Sequence, residues 1–195
     1  MTKEMKSLPI GEEIKIATYG CTKEELVHAL DSYRLTPTQL NSIGNAFRNL
    51  DELELAEKAF LKSIDLAPGY DEPYAHLISL YGKLNRFDLC EAIYQKGSKL
   101  ATKKTYIMYH DGRLKFLKGD YNGSLVAGRC ILIDEQWRDE NAIVLVIKSL
   151  LMLIKTNQSE NSDNDLQEAK LAWKRGLTLF PGSQELLELS KAFSK

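Results

Sequence analysis

His28, His76 and His110 are the only histidines in this 195-residue chain, and the last two stand 34 residues apart. Imidazole is the commonest metal ligand and the commonest general acid or base, so a pair at a fixed separation is the first place to look for chemistry. A metal would want three or four ligands, and Asp111 is the only obvious local addition. The expected arrangement is two histidines lining one surface, with Asp111 marking a drift of register or serving a cation such as Arg113 or Lys115. No Gly-rich phosphate loop, nucleophile elbow or paired-cysteine spacing occurs. Cys21, Cys90 and Cys130 are odd in number and far apart, which points to free thiols in a reducing cytoplasm. The expectation is a non-catalytic cytoplasmic protein with no metal and no cofactor.

Charge narrows the partners. Twenty-six basic residues oppose 27 acidic ones, for a net charge of −1, so no basic surplus marks a nucleic-acid or membrane surface. The N-terminus is broken by charges and has no apolar core followed by a cleavage site, so a secretory signal is not expected. The longest apolar run, Ala142 to Ile154, contains Lys148 and falls short of the roughly 20 residues that span a bilayer. Membrane insertion is therefore not expected. A hydrophobic content of 44% is enough for an ordinary globular core.

The separation of the two histidines is the period of the chain. Moving by 34 carries Leu40 to Tyr74 and Met108, Ile43 to Leu77, Phe47 to Tyr81, Ala56 to Cys90 and Phe60 to Tyr94. Large residues land on large ones and small on small. Within the first unit, Leu40, Ile43 and Phe47 share one helical face, "NLDEL" interrupts, and Leu55, Ala56, Ala59, Phe60 and Ile64 make a second face. That pattern predicts two antiparallel helices. Thr36 before Pro37, with Gln39 three residues on from the threonine, is a capping signal, and Pro68-Gly69 ends the pair. A small residue at 56 lets the helices cross closely.

These positions resemble the tetratricopeptide repeat family, whose 34-residue helix-turn-helix unit has large, small and proline positions of this kind. Residues 37–70 match at Leu40, Ile43, Gly44, Phe47, Ala56, Phe60, Ser63 and Pro68. Residues 71–104 match at Tyr74, Leu77, Tyr81, Cys90, Tyr94 and Gly97, departing at Ile78 and Thr102. Residues 105–138 are degenerate, with Asp111, Lys115 and Gly128 where apolar bulk is expected. A fourth unit, 139–181, fits through Ala169, Trp173, Gly176 and Pro181 if "TNQSENSDND", residues 156–165, is a loop insertion between its helices. The resemblance implies an all-α protein, a right-handed α-solenoid of helix-turn-helix repeats. Residues 1–36 would be an N-terminal helical cap or eroded repeat, with Leu26, Leu30 and Tyr33 on one helix face, and residues 182–195 a C-terminal capping helix.

The same resemblance implies a concave groove lined by the first helix of each repeat, and a protein or peptide segment as the partner. The groove positions are Asn41, Asn45 and Arg48 in the first unit, Ser79 in the second, Tyr106, Tyr109, Arg113 and Phe116 in the third, and Ile143 and Ile147 in the fourth. Asn41 and Asn45 could hydrogen-bond along a peptide backbone or form a solvated polar face. Tyr109, Arg113 and Phe116 are of the types that dominate binding hot spots. The carboxylate clamp of the heat-shock cochaperones is not expected, because only Asn45 agrees with it. Small members of this size include secretion and pilus-assembly chaperones, which suggests a dedicated chaperone or assembly factor. A second reading is a homodimer or larger scaffold joined through the fourth repeat. Its helix, apolar on nearly every side, must be covered by the terminal helix, the N-terminal segment, a second copy or a partner.

Overall fold

The computed structural model of the chain describes residues 6–9, 11, 12, 15 and 20–193. Thr22 and Glu25 form a capping box that starts α1 (Lys23–Ser32). Thr36 and Gln39 form a second one, with Pro37 in the first turn of α2 (Pro37–Asn49). The array continues through α3 (Leu53–Leu66), α4 (Glu72–Lys83), α5 (Phe87–Leu100), α6 (Thr105–Leu117), α7 (Tyr121–Asp134), α8 (Glu140–Lys155) and α9 (Ser162–Leu179). It ends in α10 (Gln184–Leu189) and a short 3-10 turn, Ser190–Ala192. Two residues each of β1 (Lys6–Ser7) and β2 (Tyr33–Arg34) pair in parallel, an element the helical periodicity does not announce. Tyr33 therefore lies in β2, just beyond the helix it was expected to share with Leu26 and Leu30, since α1 stops at Ser32.

Each helical pair turns through one residue at positive φ: Asp51, Asn85, Gly119 and Asn157. Asn, Asp and Gly are the residues that tolerate this conformation. The first three are 34 residues apart, so the degenerate third unit keeps the period; the fourth follows after 38. The extra residues of the last unit are thus not one loop. Residues 156–161 lie outside the helices, whereas 162–165 form the first turn of α9, which has 18 residues against 14 in α3. α8 is also longer than α2, at 16 residues against 13. Residues 162–165 thus prolong α9, because Asn161 caps it early by accepting from the Asn164 backbone amide, and residues 156–161 form the connection.

The chain divides into two compact units, residues 1–107 and 108–195, with the boundary inside α6. In the first unit, α2 and α3 cross so closely at Gly44 that a Cβ there would lie 2.5 Å from Phe60 Cε1. Leu40, Ile43, Phe47, Ala56, Phe60 and Ile64 are buried around that crossing. The Ser63 hydroxyl donates to the Pro37 carbonyl at 2.8 Å, and the Tyr74 hydroxyl to the Pro68 carbonyl at 2.9 Å. The first bond ties the start of α2 to α3, and the second ties the turn after α3 to α4.

In the second unit, the apolar α8 is buried against α7, α9 and α10, with Ile143, Val146, Ile147 and Leu150 fully enclosed. The terminal segment supplies part of the cover: Leu186 is fully buried, Trp173 Nε1 donates to its carbonyl at 2.8 Å, and the Phe193 ring lies 5.3 Å from that of Trp173. The departures in the third unit compensate one another. Asp111 and Lys115 replace two core hydrophobes with an ion pair at 2.7 Å whose carboxylate is buried. Gly128 replaces an aromatic, and a Cβ there would lie 2.8 Å from Val146 Cγ2, so a closer approach of α8 fills the space. Among the described residues no helix is long and apolar enough to cross a membrane.

Candidate functional site

In the first unit the expected groove residues form a closed polar network. The Asn41 amide nitrogen donates to Glu72 Oε2 at 2.8 Å and to the Tyr70 hydroxyl at 3.2 Å, and that hydroxyl donates to the same Glu72 oxygen at 2.6 Å. Burial, then the hydrogen bond to Glu72 and its charge, push the Tyr70 phenol well above its usual range. Arg48 lies 3.3 Å from His76 Nδ1, and the Asn45 amide nitrogen lies 3.1 Å from Nε2. A guanidinium can only donate, so Nδ1 must accept; in the neutral ring Nε2 then carries the proton, and the Asn45 amide satisfies it by turning its oxygen inward.

Two expectations change here. Asn41 is buried and its donors are used internally, so it does not offer itself to a peptide backbone. Asn45 is held to the His76 ring by the same logic. Ser79 is half-buried. Tyr106, beside His76 in an edge-on ring contact at 6.3 Å, keeps an exposed ring. Among the described residues no group of three or more His, Cys, Asp or Glu side chains is placed to hold a metal ion.

The second unit has an open recess. α6 contributes Tyr109, Arg113, Phe116 and Leu117, at the i, i+4, i+7 and i+8 spacing of one helix face. α8 faces them with Asn141, Val144, Leu145 and Lys148, and Glu185 of α10 closes one side of a volume near 400 Å³. Leu117 is 76% exposed although it is apolar. The Arg113 guanidinium sits over the Tyr109 ring at 5.8 Å, Lys148 Nζ meets Glu185 at 3.1 Å, and Phe116 packs edge-on against Tyr121 at 5.3 Å. The recess is lined by more polar than apolar surface: one cation stacked on an aromatic ring, one ion pair and Asn141, beside the apolar Phe116 and Leu117.

Ile143 and Ile147 are not part of it. Both are fully buried, with Ile143 against Gly176 and Leu186. The connection before α8 carries two successive residues at positive φ, Gln136 and Trp137, and the groove face of α8 falls at 144 and 148. These positions are 35 residues after Tyr109 and Arg113, one beyond the period. A signal for this was present: Asn141 and Lys148, seven residues apart, are the polar residues on one side of an otherwise apolar helix, and they mark its open face.

Residues 40–70 match the tetratricopeptide repeat family. No curated protein matches the chain by sequence. Among solved structures, MamA of MSR-1 is 14% identical over 85% of this chain and 94% of its own, with a TM-score of 0.57. MamA of AMB-1 is 14% identical over 92% of this chain and 93% of its own, with a TM-score of 0.58. PilW, a widely conserved type IV pilus biogenesis factor, is 14% identical over 93% of this chain and 99% of its own, with a TM-score of 0.55. The chain carries the tetratricopeptide repeat and has the all-α fold built from it. Repeats of this kind mark a protein-interaction module.

Proposed function

We propose that this chain holds a segment of a partner protein in the recess between α6 and α8, and acts as a non-catalytic assembly factor or dedicated chaperone. The observation that carries the reading is the lining of the recess: exposed Arg113 and Leu117 with half-buried Phe116 on α6, over a floor to which the buried Val144 and Leu145 of α8 contribute. Aromatic and arginine residues around a desolvated recess are the usual anchors of a protein interface. PilW, a pilus biogenesis factor of the same fold, is the precedent for an assembly role. Three free cysteines are consistent with work in a reducing compartment.

The competing scaffold reading needed an uncovered α8. That helix spends its largest apolar side chains inside the second unit, so little is left for self-association through it. The test is affinity capture from native extract with the full chain and with a variant carrying Tyr109→Ala, Arg113→Glu and Phe116→Ala. A partner retained by the native protein and lost by the folded variant supports the reading. The same partner on both, or recovery of nothing but the chain itself, refutes it.

A further inference from the structure

We infer that the first unit binds a small amphiphilic monoanion, a carboxylate with an acyl or aryl body, in a cavity where the end of α1 and β2 meet the last turn of α3. Every lining residue belongs to the first unit, so the inference is independent of the α6–α8 reading. The volume is near 320 Å³, inside the range of about 300–1,000 Å³ that small-molecule sites occupy.

The repeat shows why the space is open. Leu40 and Arg34 of the cavity correspond, one period of 34 on, to Tyr74 and Pro68. There the Tyr74 ring is fully buried and its hydroxyl donates to the Pro68 carbonyl at 2.9 Å, which closes that corner of the array. Leu40 has neither ring nor hydroxyl, and the place of the ring remains a cavity. Leu30 and Leu40 are buried at its floor, Tyr33 and Leu35 are half-buried, and Leu66 on α3 is 61% exposed. The lining is more apolar than polar, so the occupant needs an apolar body.

Charge decides its head. Arg34, Lys62 and Asp65 are the charged residues of the lining, and all three are exposed. Asp65 lies 4.0 Å from Lys96 Nζ, whereas Arg34 and Lys62 form no ion pair among the described residues. Two cations against one acid that already has a cation favour an anion, and the guanidinium fork suits a carboxylate. A head of higher charge would be desolvated beside leucines at greater cost. A neutral hydrocarbon would forgo both cations, and a cation would meet like charge.

Nuclear magnetic resonance titration of the isotope-labelled full chain with octanoate, octanol and octylammonium tests this. The expected result is saturable octanoate binding, with amide shifts concentrated at residues 30–35 and 62–66, and octanol bound about tenfold more weakly. Octylammonium should leave those amides unmoved. Arg34→Glu with Lys62→Glu, both at the surface, should weaken octanoate about tenfold or more and let octylammonium bind. Leu40→Tyr supplies the ring that the next repeat uses and should abolish binding in a folded chain. Leu66→Asp, at an exposed position, should abolish it as well, and decides the matter if the tyrosine overpacks and unfolds the repeat. Octanol bound as tightly as octanoate, or octanoate indifferent to the double charge reversal, overturns the anionic head. Binding that survives Leu66→Asp, shifts confined to other residues, or no saturable binding overturns the site.

Discussion

Replacing Gly44 by alanine probes the helix crossing on which the first repeat is built. An added Cβ would lie 2.5, 2.7 and 2.9 Å from three carbons of the Phe60 ring, against an optimum of about 3.5–4.0 Å. Phe60 is fully buried, so its ring cannot swing into solvent. Overpacking of this kind costs about 1–3 kcal/mol, and alanine recovers up to about 1 kcal/mol as the better helix former. The net loss should be about 1–2 kcal/mol, a fall of roughly 5–10 °C in Tm for a unit of this size. Two probes localise the effect. Both tryptophans of the chain, Trp137 and Trp173, lie in the second unit, so tryptophan emission follows that unit while far-UV circular dichroism follows all the helices. Urea unfolding of Gly44→Ala should show an earlier loss of ellipticity with the emission midpoint unchanged, and Phe60→Leu in the same background should recover part of the loss. A neutral or stabilised Gly44→Ala, read by ellipticity, would refute the close crossing; an equal shift in both probes would refute its confinement to the first unit.

Other consequences are directly measurable. Leu186→Ala should cost about 2–5 kcal/mol and shift tryptophan emission to the red, since Leu186 is fully buried and its carbonyl holds the Trp173 indole. Ile143→Ala should destabilise by a similar amount, whereas Leu117→Ala should leave stability within about 0.5 kcal/mol and weaken partner binding alone; the reverse order in thermal melts would contradict the assignment of inner and open faces. Burial, followed by the hydrogen bond to Glu57 and its charge, raises the Tyr81 phenol pKa; Tyr70 is raised by burial and Glu72, and Tyr74 by burial and the charge of Asp65. A native pKa above the unfolded value of about 10 means that their contribution is whole below that pH and is lost as pH rises through the native values. Ultraviolet titration should therefore show these three of the nine tyrosines ionising late and together with unfolding; ordinary ionisation of all nine in the folded chain would contradict it.

Packing was legible in the sequence and function was much less so, for a physical reason. Leu40, Phe47, Ala56 and Phe60 recur because two helices can cross closely only where size alternates, and that constraint repeats with the period. The third unit looked eroded because compensation between residues does not show as a pattern: the Asp111–Lys115 pair stands in for two hydrophobes, and Gly128 for an aromatic that a nearer Val146 makes unnecessary. The polar insertion looked like a loop throughout, and residues 156–161 are one, but 162–165 open α9, since a helix prolonged by a turn at its solvent end is polar too. Tyr109, Arg113 and Phe116 fall on one recess-lining face because α6 keeps the period, whereas on α8 that face falls at Val144 and Lys148 instead of Ile143 and Ile147 because a one-residue shift moves a helix face by about 100°. Asn41 and Asn45 were read as a surface because an amide in a sequence does not reveal its partners; Glu72 and His76 lie about 30 residues on.

The central claim is that the α6–α8 recess is the face that meets the partner. Its most direct test places a photo-reactive phenylalanine analogue at Leu117, in the recess, or at Leu171, equally solvent-facing on α9 but outside it, in the full chain in its native cell. A covalent adduct with another protein at 117 and none at 171 is the predicted result. An adduct at 171 alone, or equal adducts at both positions, would contradict it.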